Sequence, residues 1–179
     1  MSDNNTQQEA KPKSKWKSPK WWLRELATLI VLFSVMTFAI DWWRTQDMPK
    51  DAVPTIAMST LSGESIDFVT LSHDEPVVLY FWATWCPACK FVTPTIDWLS
   101  SSYPVVSIAM TSGGNRRIQA YLDSHDLQFD TVNDEQGAIG QTWGIQATPT
   151  IVIIKDGKIE SITTGITTPP GMLARLWFS

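Results

Sequence analysis

The fold of this chain is decided by the stretch VVLYFWATWCPACK at residues 77–90. It contains the only two cysteines of the 179 residues, Cys86 and Cys89. An apolar run rich in β-formers leads into the cysteines and a helix-like pattern follows them, which predicts a buried strand, a short loop and a helix that opens at Cys86. The free N–H groups and the dipole at a helix N-terminus stabilise a thiolate and lower its pKa, so Cys86 is expected to be reactive.

The spacing of the two cysteines favours thiol–disulfide exchange. Cys89 lies one helical turn after Cys86 and can close a disulfide with it, which supplies an attacking and a resolving thiol. A purely structural disulfide would close almost no loop and add little stability. A structural zinc site usually has four Cys or His ligands, and the chain offers only the distant His73 and His125 besides the cysteines. The pair therefore indicates redox chemistry, with no metal or cofactor expected.

Charge is divided unevenly along the chain. The first 44 residues carry seven basic and four acidic side chains, whereas residues 45–179 carry seven basic and 14 acidic ones. Nucleic-acid binding depends on lysine and arginine side chains that neutralise phosphates, so the acidic part argues against it. Five of the ten tryptophans fall in the first 43 residues, which is typical of a segment at a membrane interface.

The N-terminal region is predicted to consist of a tail, an anchor and a linker. Residues 1–20 are polar and are expected to be a disordered cytoplasmic tail. Residues 21–43, with tryptophan pairs at both ends, span roughly 34 Å as a helix and predict a transmembrane signal anchor. A cleaved signal peptide is the alternative, although the segment lacks a good small-x-small cleavage site. Residues 44–54 form a polar linker.

The remaining part, residues 55–179, predicts an α/β domain. A β-hairpin at 56–69 precedes the core strand 77–82, and a helix follows from Cys86 to about Ser101. The later elements are expected as strands at 105–110, 129–133, 151–155 and 158–163 and as helices at 116–124, 135–143 and 169–178. Both histidines are expected at the surface. Core or near-core positions are expected for Trp82, Trp98, Trp143 and Trp177.

Two motifs in this domain resemble the thioredoxin fold. FWATWCPACK at residues 81–90 looks like its active-site signature, and ATPT at residues 147–150 looks like its cis-proline loop. The resemblance covers residues 55–179, and with the anchor it points to the membrane-tethered TlpA and DsbE branch. Within that branch the chain is most similar to the suppressor-of-copper-sensitivity protein D subfamily. This likeness is carried by the tryptophan-rich anchor, the sequence before Cys86, Val132-Asn133-Asp134 and the C-terminal GMLARLW.

The resemblance assigns roles to five residues. Cys86 is expected to be the exposed nucleophile and Cys89 the buried resolving thiol. Pro149, expected in the cis form, would lie against the cysteine pair. Thr148 would offer its backbone to a bound peptide strand and its hydroxyl to the Cys86 thiolate. Trp85 would provide an apolar platform beside the disulfide.

One position departs from the thioredoxin pattern. Many thioredoxins bury an acidic residue six positions before the first cysteine, and Tyr80 stands there in this chain. A phenol with an ordinary pKa near 10 is a poor substitute for a carboxylate that accepts a proton. The group that exchanges the proton of Cys89 is therefore left open by the sequence.

These features predict a thiol–disulfide oxidoreductase tethered to a bacterial inner membrane. Its N-terminus would be cytoplasmic and its thioredoxin-like domain periplasmic, because basic residues precede the anchor. The branch favours net reduction of protein disulfides with electrons from a DsbD-like membrane partner. Two alternatives stay open, a disulfide-forming oxidase of the same fold and a protein that binds or delivers Cu(I) through Cys86 and Cys89.

Overall fold

The computed structural model describes residues 19–45 and 53–177. The chain divides into two compact units, Met1–Ile40 and Asp41–Ser179. Most of the expected tail and of the expected linker lies outside the described residues.

A single helix, α1 (Pro19–Thr45), covers the segment expected to be an anchor. Its large apolar side chains between Leu26 and Met36 are exposed. No helix among the described residues combines the length and the apolar character needed to cross a membrane. The transmembrane helix expected at residues 21–43 stays a prediction.

The second unit alternates strands and helices. Its elements are β1 (Met58–Ser59), β2 (Ser65–Ile66), α2 (Phe68–Leu71), β3 (Val77–Trp82), α3 (Cys89–Ser100), β4 (Val105–Met110), α4 (Asn115–Ser124), β5 (Asp130–Asp134), α5 (Ala138–Thr142), β6 (Thr150–Lys155), β7 (Lys158–Thr164) and α6 (Pro169–Trp177).

Five of the strands form one mixed sheet in the order β5-β4-β3-β6-β7. β3, β4 and β5 are parallel, whereas β6 runs antiparallel to both β3 and β7. Parallel strands joined by right-handed crossovers place α3 and α4 on the same face of the sheet. All six residues of β3 are buried, as expected for a central strand covered on both faces. The mixed sheet with flanking helices agrees with the expected architecture.

Alternate residues of β3 enter two separate cores. Tyr80 and Trp82 lie in the core that also holds Cys86 and Cys89, together with residues of α3, α4 and α6. Phe81 and the other β3 residues whose side chains lie on its side of the sheet belong to the opposite core, which contains Trp143. The side-chain period of two along a strand therefore separates the cysteine face from the face behind it.

The segment before β3 differs from the expected hairpin in one part. β1 and β2 pair antiparallel as expected, but each has only two residues. The expected second strand continues to Val69, whereas the structure turns into α2 at Phe68. Asp67 caps this helix, because its carboxylate accepts the Val69 N–H at 3.0 Å and the Thr70 hydroxyl at 2.7 Å.

The helix expected at residues 135–143 begins later than the sequence suggests. Gly137 has a φ of 77°, in the left-handed region, and α5 starts directly after it. The carboxylate of Asp134 accepts the N–H groups of Ile139 at 3.1 Å and Gly140 at 2.8 Å. Asp134 therefore satisfies free N–H groups at the start of this helix.

Two of the four tryptophans expected in or near the core are at the surface. Trp82 and Trp143 are fully buried. Trp98 is 53% exposed and Trp177 is 84% exposed, so the expectation is wrong for both. Trp98 lies on α3 next to the half-buried Asp97, on the face turned away from the core positions Ile96 and Leu99. A helix with one buried stripe leaves its other positions in solvent, whatever their apolar character.

Candidate active site

The two cysteines form a disulfide between the end of β3 and the start of α3. Their Cα atoms are 5.4 Å apart. Cys86 is 4% exposed and Cys89 is 2% exposed. The expectation of an exposed Cys86 is therefore wrong in this oxidised state, in which both cysteines pack into the core.

The helix begins at Cys89, three residues later than expected, and a turn carries Cys86. The Cys86 N–H donates to the Ala83 carbonyl at 3.1 Å, and the Lys90 N–H donates to the Pro87 carbonyl at 3.3 Å. Such bonds between residues three apart are typical of a tight turn that leads into a helix. The expected electrostatic effect persists, because the Cys89 N–H donates to Cys86 Sγ at 3.1 Å. This N–H belongs to the first helical residue and would favour a thiolate at Cys86.

The loop before β6 forms the second wall of the site. The Thr148–Pro149 peptide bond is cis, as the resemblance implies. Cys86 Sγ lies 3.5 Å from the Thr148 carbonyl oxygen, an acceptor that favours the protonated thiol once the disulfide is reduced. The loop is held by the Gly165 N–H, which donates to the Pro149 carbonyl at 2.8 Å, and by the Thr150 hydroxyl, which donates to the Ala147 carbonyl at 2.8 Å.

Trp85 is 61% exposed and is held by the loop that follows β4. Its indole N–H donates to the Thr111 carbonyl at 3.1 Å. The Thr84 N–H donates to the Ser112 hydroxyl oxygen at 2.9 Å, and the Ser112 hydroxyl donates to the Met110 carbonyl at 2.9 Å. An apolar ring thus stands in solvent directly before Cys86. Sequence reasoning missed Ser112, because its contact with the cysteine loop joins residues 28 positions apart.

Tyr80 lies buried beneath the site at the position where many thioredoxins have an acidic residue. Its hydroxyl is 2.9 Å from the Thr93 hydroxyl on α3. Burial raises the pKa of Tyr80 well above its ordinary value, so the phenol stays protonated across the physiological range. Thr93 is a site residue that sequence reasoning missed. Its one available signal is its place one turn after Cys89 on the same helix.

The histidines lie away from this arrangement, as the sequence predicts. His73 is exposed, and its ring nitrogen is 3.0 Å from the carboxylate of Asp74, which raises the pKa of His73. His125 ends α4 and is exposed, and its ring stacks on the ring of Tyr121. Among residues 19–45 and 53–177, no three His, Cys, Asp or Glu side chains are grouped closely enough to hold a metal ion.

Comparison with known proteins places this geometry in a family. The AhpC/TSA family pattern matches residues 49–162. A thioredoxin-like protein of Haemophilus influenzae is 36% identical over 158 residues, which cover 88% of this chain and 94% of that protein. The thiol-disulfide oxidoreductase ResA of Oceanobacillus iheyensis is 29% identical over 90% of each chain.

A solved structure agrees with the relatives. The crystal structure of a secreted Mycobacterium tuberculosis disulfide oxidoreductase, described as homologous to E. coli DsbE, is 25% identical and superposes with a TM-score of 0.59. The match covers 69% of this chain and 96% of that one. The thioredoxin fold expected from the sequence is confirmed.

Proposed function

Because this chain belongs to the AhpC/TSA family and is a thioredoxin-type thiol–disulfide oxidoreductase, we propose that it reduces the disulfides of exported proteins through Cys86 and Cys89. The observation that carries the proposal is the position of the disulfide. Cys86 Sγ lies between the Cys89 N–H at 3.1 Å and the Thr148 carbonyl at 3.5 Å. A hydrogen-bond donor next to the sulfur stabilises its thiolate form, and an acceptor next to it stabilises its thiol form. This environment suits a sulfur that alternates between thiolate, thiol and disulfide.

The reaction uses the reduced pair in two steps. The Cys86 thiolate attacks one sulfur of a substrate disulfide, and the other substrate sulfur leaves as a thiolate and takes up a proton. Cys89 then loses its proton and attacks Cys86 Sγ, and the second substrate sulfur leaves and is protonated in turn. The enzyme dithiol becomes a disulfide while the substrate gains two electrons and two protons.

The residues around the pair would bind the polypeptide that carries the disulfide. The half-buried Thr148 lies against Cys86 through its carbonyl, so an extended substrate segment could pair with its backbone. Pro149 has no N–H and cannot donate to a sulfur. Trp85, fixed by its bond to Thr111, offers an exposed apolar ring to the substrate.

The direction of electron flow rests on the resemblance to the TlpA and DsbE branch. Within it, the tryptophan-rich N-terminus and Val132-Asn133-Asp134 favour the suppressor-of-copper-sensitivity D subfamily. A reductase must be reduced again after each turnover, so the proposal includes a DsbD-like membrane electron donor. Cu(I) delivery by the same two thiols is the rival that a Cu(I) titration of the reduced protein must exclude.

Location outside the cytoplasm is part of the proposal. A disulfide that cycles with substrates belongs in an oxidising compartment, and the Mycobacterium tuberculosis protein of similar structure is described as secreted. We propose that α1 attaches the chain to the inner membrane, because the lipid would remove its exposed apolar side chains from contact with water. Carbonate extraction of membranes from a Gram-negative host tests this. Recovery with the membranes supports attachment, and release of the full chain into the soluble periplasmic fraction overturns it.

Substrate trapping tests the exchange mechanism. A Cys89→Ala variant retains the attacking thiol but cannot resolve the mixed disulfide, so it should accumulate covalent complexes with periplasmic proteins that dithiothreitol releases. The matched control is Cys86→Ala, which keeps one cysteine of the same site and should trap far less. If Cys89→Ala forms no complexes, or if both variants trap equally, the proposed roles are wrong.

A further inference from the structure

We propose that the Thr93 hydroxyl, held in place by Tyr80, carries the proton of Cys89 between the buried sulfur and a cavity at the surface. This inference rests on the proposed function, since it concerns the step in which Cys89 resolves the mixed disulfide. The sequence leaves open which group exchanges the proton of Cys89, because Tyr80 stands in place of the usual acidic residue. The proposal assigns this exchange to Thr93.

The positions of Cys89 and Thr93 on α3 bring them together. They are four residues apart, so their side chains lie on the same face of the helix in successive turns. Helical side chains tilt toward the N-terminus, which directs Thr93 toward the turn of Cys89. Both residues are buried, and Cys89 at 2% exposure has little direct access to water. A proton that leaves Cys89 therefore needs a polar neighbour, and Thr93 is the next hydroxyl on its side of the helix.

Tyr80 determines how the Thr93 hydroxyl is oriented. The two oxygens are 2.9 Å apart in the core. Because the buried phenol keeps its proton, it can donate to Thr93 Oγ1, which leaves the hydrogen of Thr93 free to move. The Thr93 oxygen can then accept the hydrogen of the Cys89 thiol with its second lone pair while it passes its own hydrogen onward. Tyr80 acts here as a positioning residue and does not exchange a proton itself.

A cavity of about 310 Å³ gives the proton a destination. It lies between α3 and α4, and Thr93 is one of its lining residues. The charged and titratable groups that face it are Lys90 and Asp97 from α3 and Tyr121 and His125 from the α4 side. A space of this size with polar walls can hold water, which would accept the proton from Thr93.

The proton movement fits the resolving step. The Cys89 S–H bond breaks and its hydrogen passes to Thr93 Oγ1, while the original Thr93 hydrogen passes to water in the cavity. The electron pair left on Cys89 Sγ forms the bond to Cys86 Sγ. The bond between Cys86 and the substrate breaks, and the substrate sulfur leaves with that electron pair and is protonated by solvent. Thr93 ends the step as a neutral hydroxyl.

A stopped-flow reaction of the reduced full-length chain with the aromatic disulfide dithiobis(nitrobenzoate) separates the two thiols. The first coloured thiolate is released when Cys86 attacks, at a rate that depends on reagent concentration. The second is released when Cys89 resolves the mixed disulfide, at a rate that does not. The second rate, measured against pH, reports the pKa of Cys89.

Thr93→Val removes the proposed relay and the hydroxyl that would donate to the Cys89 thiolate. The pH profile of the second phase should move upward by about one unit, which slows the phase about tenfold near neutral pH and leaves it unchanged at high pH. The first phase should not change. Thr93→Ser should restore the wild-type profile. Tyr80→Phe combined with Thr93→Val, which leaves no buried hydroxyl without a partner, should show the same shift.

The matched control is Thr95→Val, a substitution at another buried threonine of α3. It should leave both phases unchanged. If Thr93→Val leaves the second phase unaltered, or slows it equally at every pH, the relay is wrong and Thr93 is structural. Failure of the proposed function gives a different result, in which the wild-type chain shows no concentration-dependent first phase.

Discussion

The two faces of the central strand β3 differ in polar content, and this difference separates chemistry from packing. On the face with the cysteines, Tyr80 bonds to Thr93 on α3 at 2.9 Å. On the same face the Trp82 indole N–H donates to the Ser107 hydroxyl at 3.1 Å, and Ser107 is 2.8 Å from the Thr131 hydroxyl. These buried polar groups are all paired, which limits the cost of burying them.

The opposite face of β3 is almost wholly apolar. Val77, Leu79 and Phe81 are fully buried there, and Phe81 packs against Trp143 with ring centroids 5.7 Å apart. The Trp143 indole N–H is buried without a hydrogen-bond partner among the described residues. One strand thus supports a redox site on one side and supplies hydrophobic stability on the other. The comparison predicts that substitutions on the two faces change different properties.

Cys86→Ser should have the largest effect on activity and a small effect on stability. Without the nucleophile, insulin reduction should fall to the rate of the uncatalysed reaction, because no mixed disulfide forms. The disulfide closes a very short loop, so its loss should cost about 2 kcal/mol or less of unfolding free energy. Activity and urea unfolding of the same preparation measure both. Substantial residual turnover would contradict the role of Cys86.

Phe81→Ala should have the largest effect on the free energy of unfolding. The rate constants of thiol exchange in the folded protein should not change. Removing a fully buried aromatic ring costs about 3–5 kcal/mol of unfolding free energy. Phe81→Leu, the control, keeps more of the volume and should cost less than about 1.5 kcal/mol. Urea unfolding gives the stability, and the stopped-flow amplitudes normalise the rates to folded protein. Altered rate constants in Phe81→Leu would show that the two faces are coupled.

Ser107→Ala should cost about 1–3 kcal/mol of unfolding free energy, because it leaves the Trp82 N–H and the Thr131 hydroxyl without their shared partner. Thr131→Ser retains the hydroxyl and serves as the control, with a smaller loss. Ser107 lies on the cysteine face but makes no bond to Cys86 or Cys89, so the pH profile of the second phase should be unchanged. A shifted profile would place this network in the proton path.

Tyr80→Phe should alter the alkaline limb of the stability curve. Burial raises the folded-state pKa of Tyr80 above its unfolded value near 10, so its contribution is present below that pH and is lost as pH rises beyond it. The unfolded chain ionises first, which lowers the unfolding free energy by about 1.4 kcal/mol per pH unit. Unfolding measured between about pH 9 and 12 should show this slope in the wild type and a shallower one in Tyr80→Phe. Equal slopes would mean that Tyr80 ionises normally.

The sequence predicts those parts of the molecule that depend on local pattern. The ends of β3 and β4 agree with the expectation, because continuous apolar runs bounded by polar residues define central strands. The pairing of Cys86 with Cys89 follows from their spacing. The cis Thr148–Pro149 bond was implied by the family resemblance, since no residue pattern distinguishes it from an ordinary X-Pro bond.

The parts that the sequence does not predict depend on contacts between distant segments. Tyr80 lies on β3 and Thr93 lies on α3. Their hydroxyl groups come within hydrogen-bond distance only because α3 packs against the sheet. The bond of Thr84 to Ser112 joins loops 28 residues apart. The burial of Cys86 likewise comes from the surrounding core and the Thr148 loop, which a helix pattern beginning at Cys86 does not indicate.

The reduction potential of the Cys86–Cys89 pair in the full-length chain tests the central claim most directly. The protein would be equilibrated in dithiothreitol and glutathione buffers, and the oxidised fraction read by thiol alkylation. A reductase requires a potential near the thioredoxin end of the range, about −270 mV, at which the pair donates electrons to substrate disulfides. A potential near about −120 mV, the value of a strong oxidant, would contradict the account and assign the pair to disulfide formation.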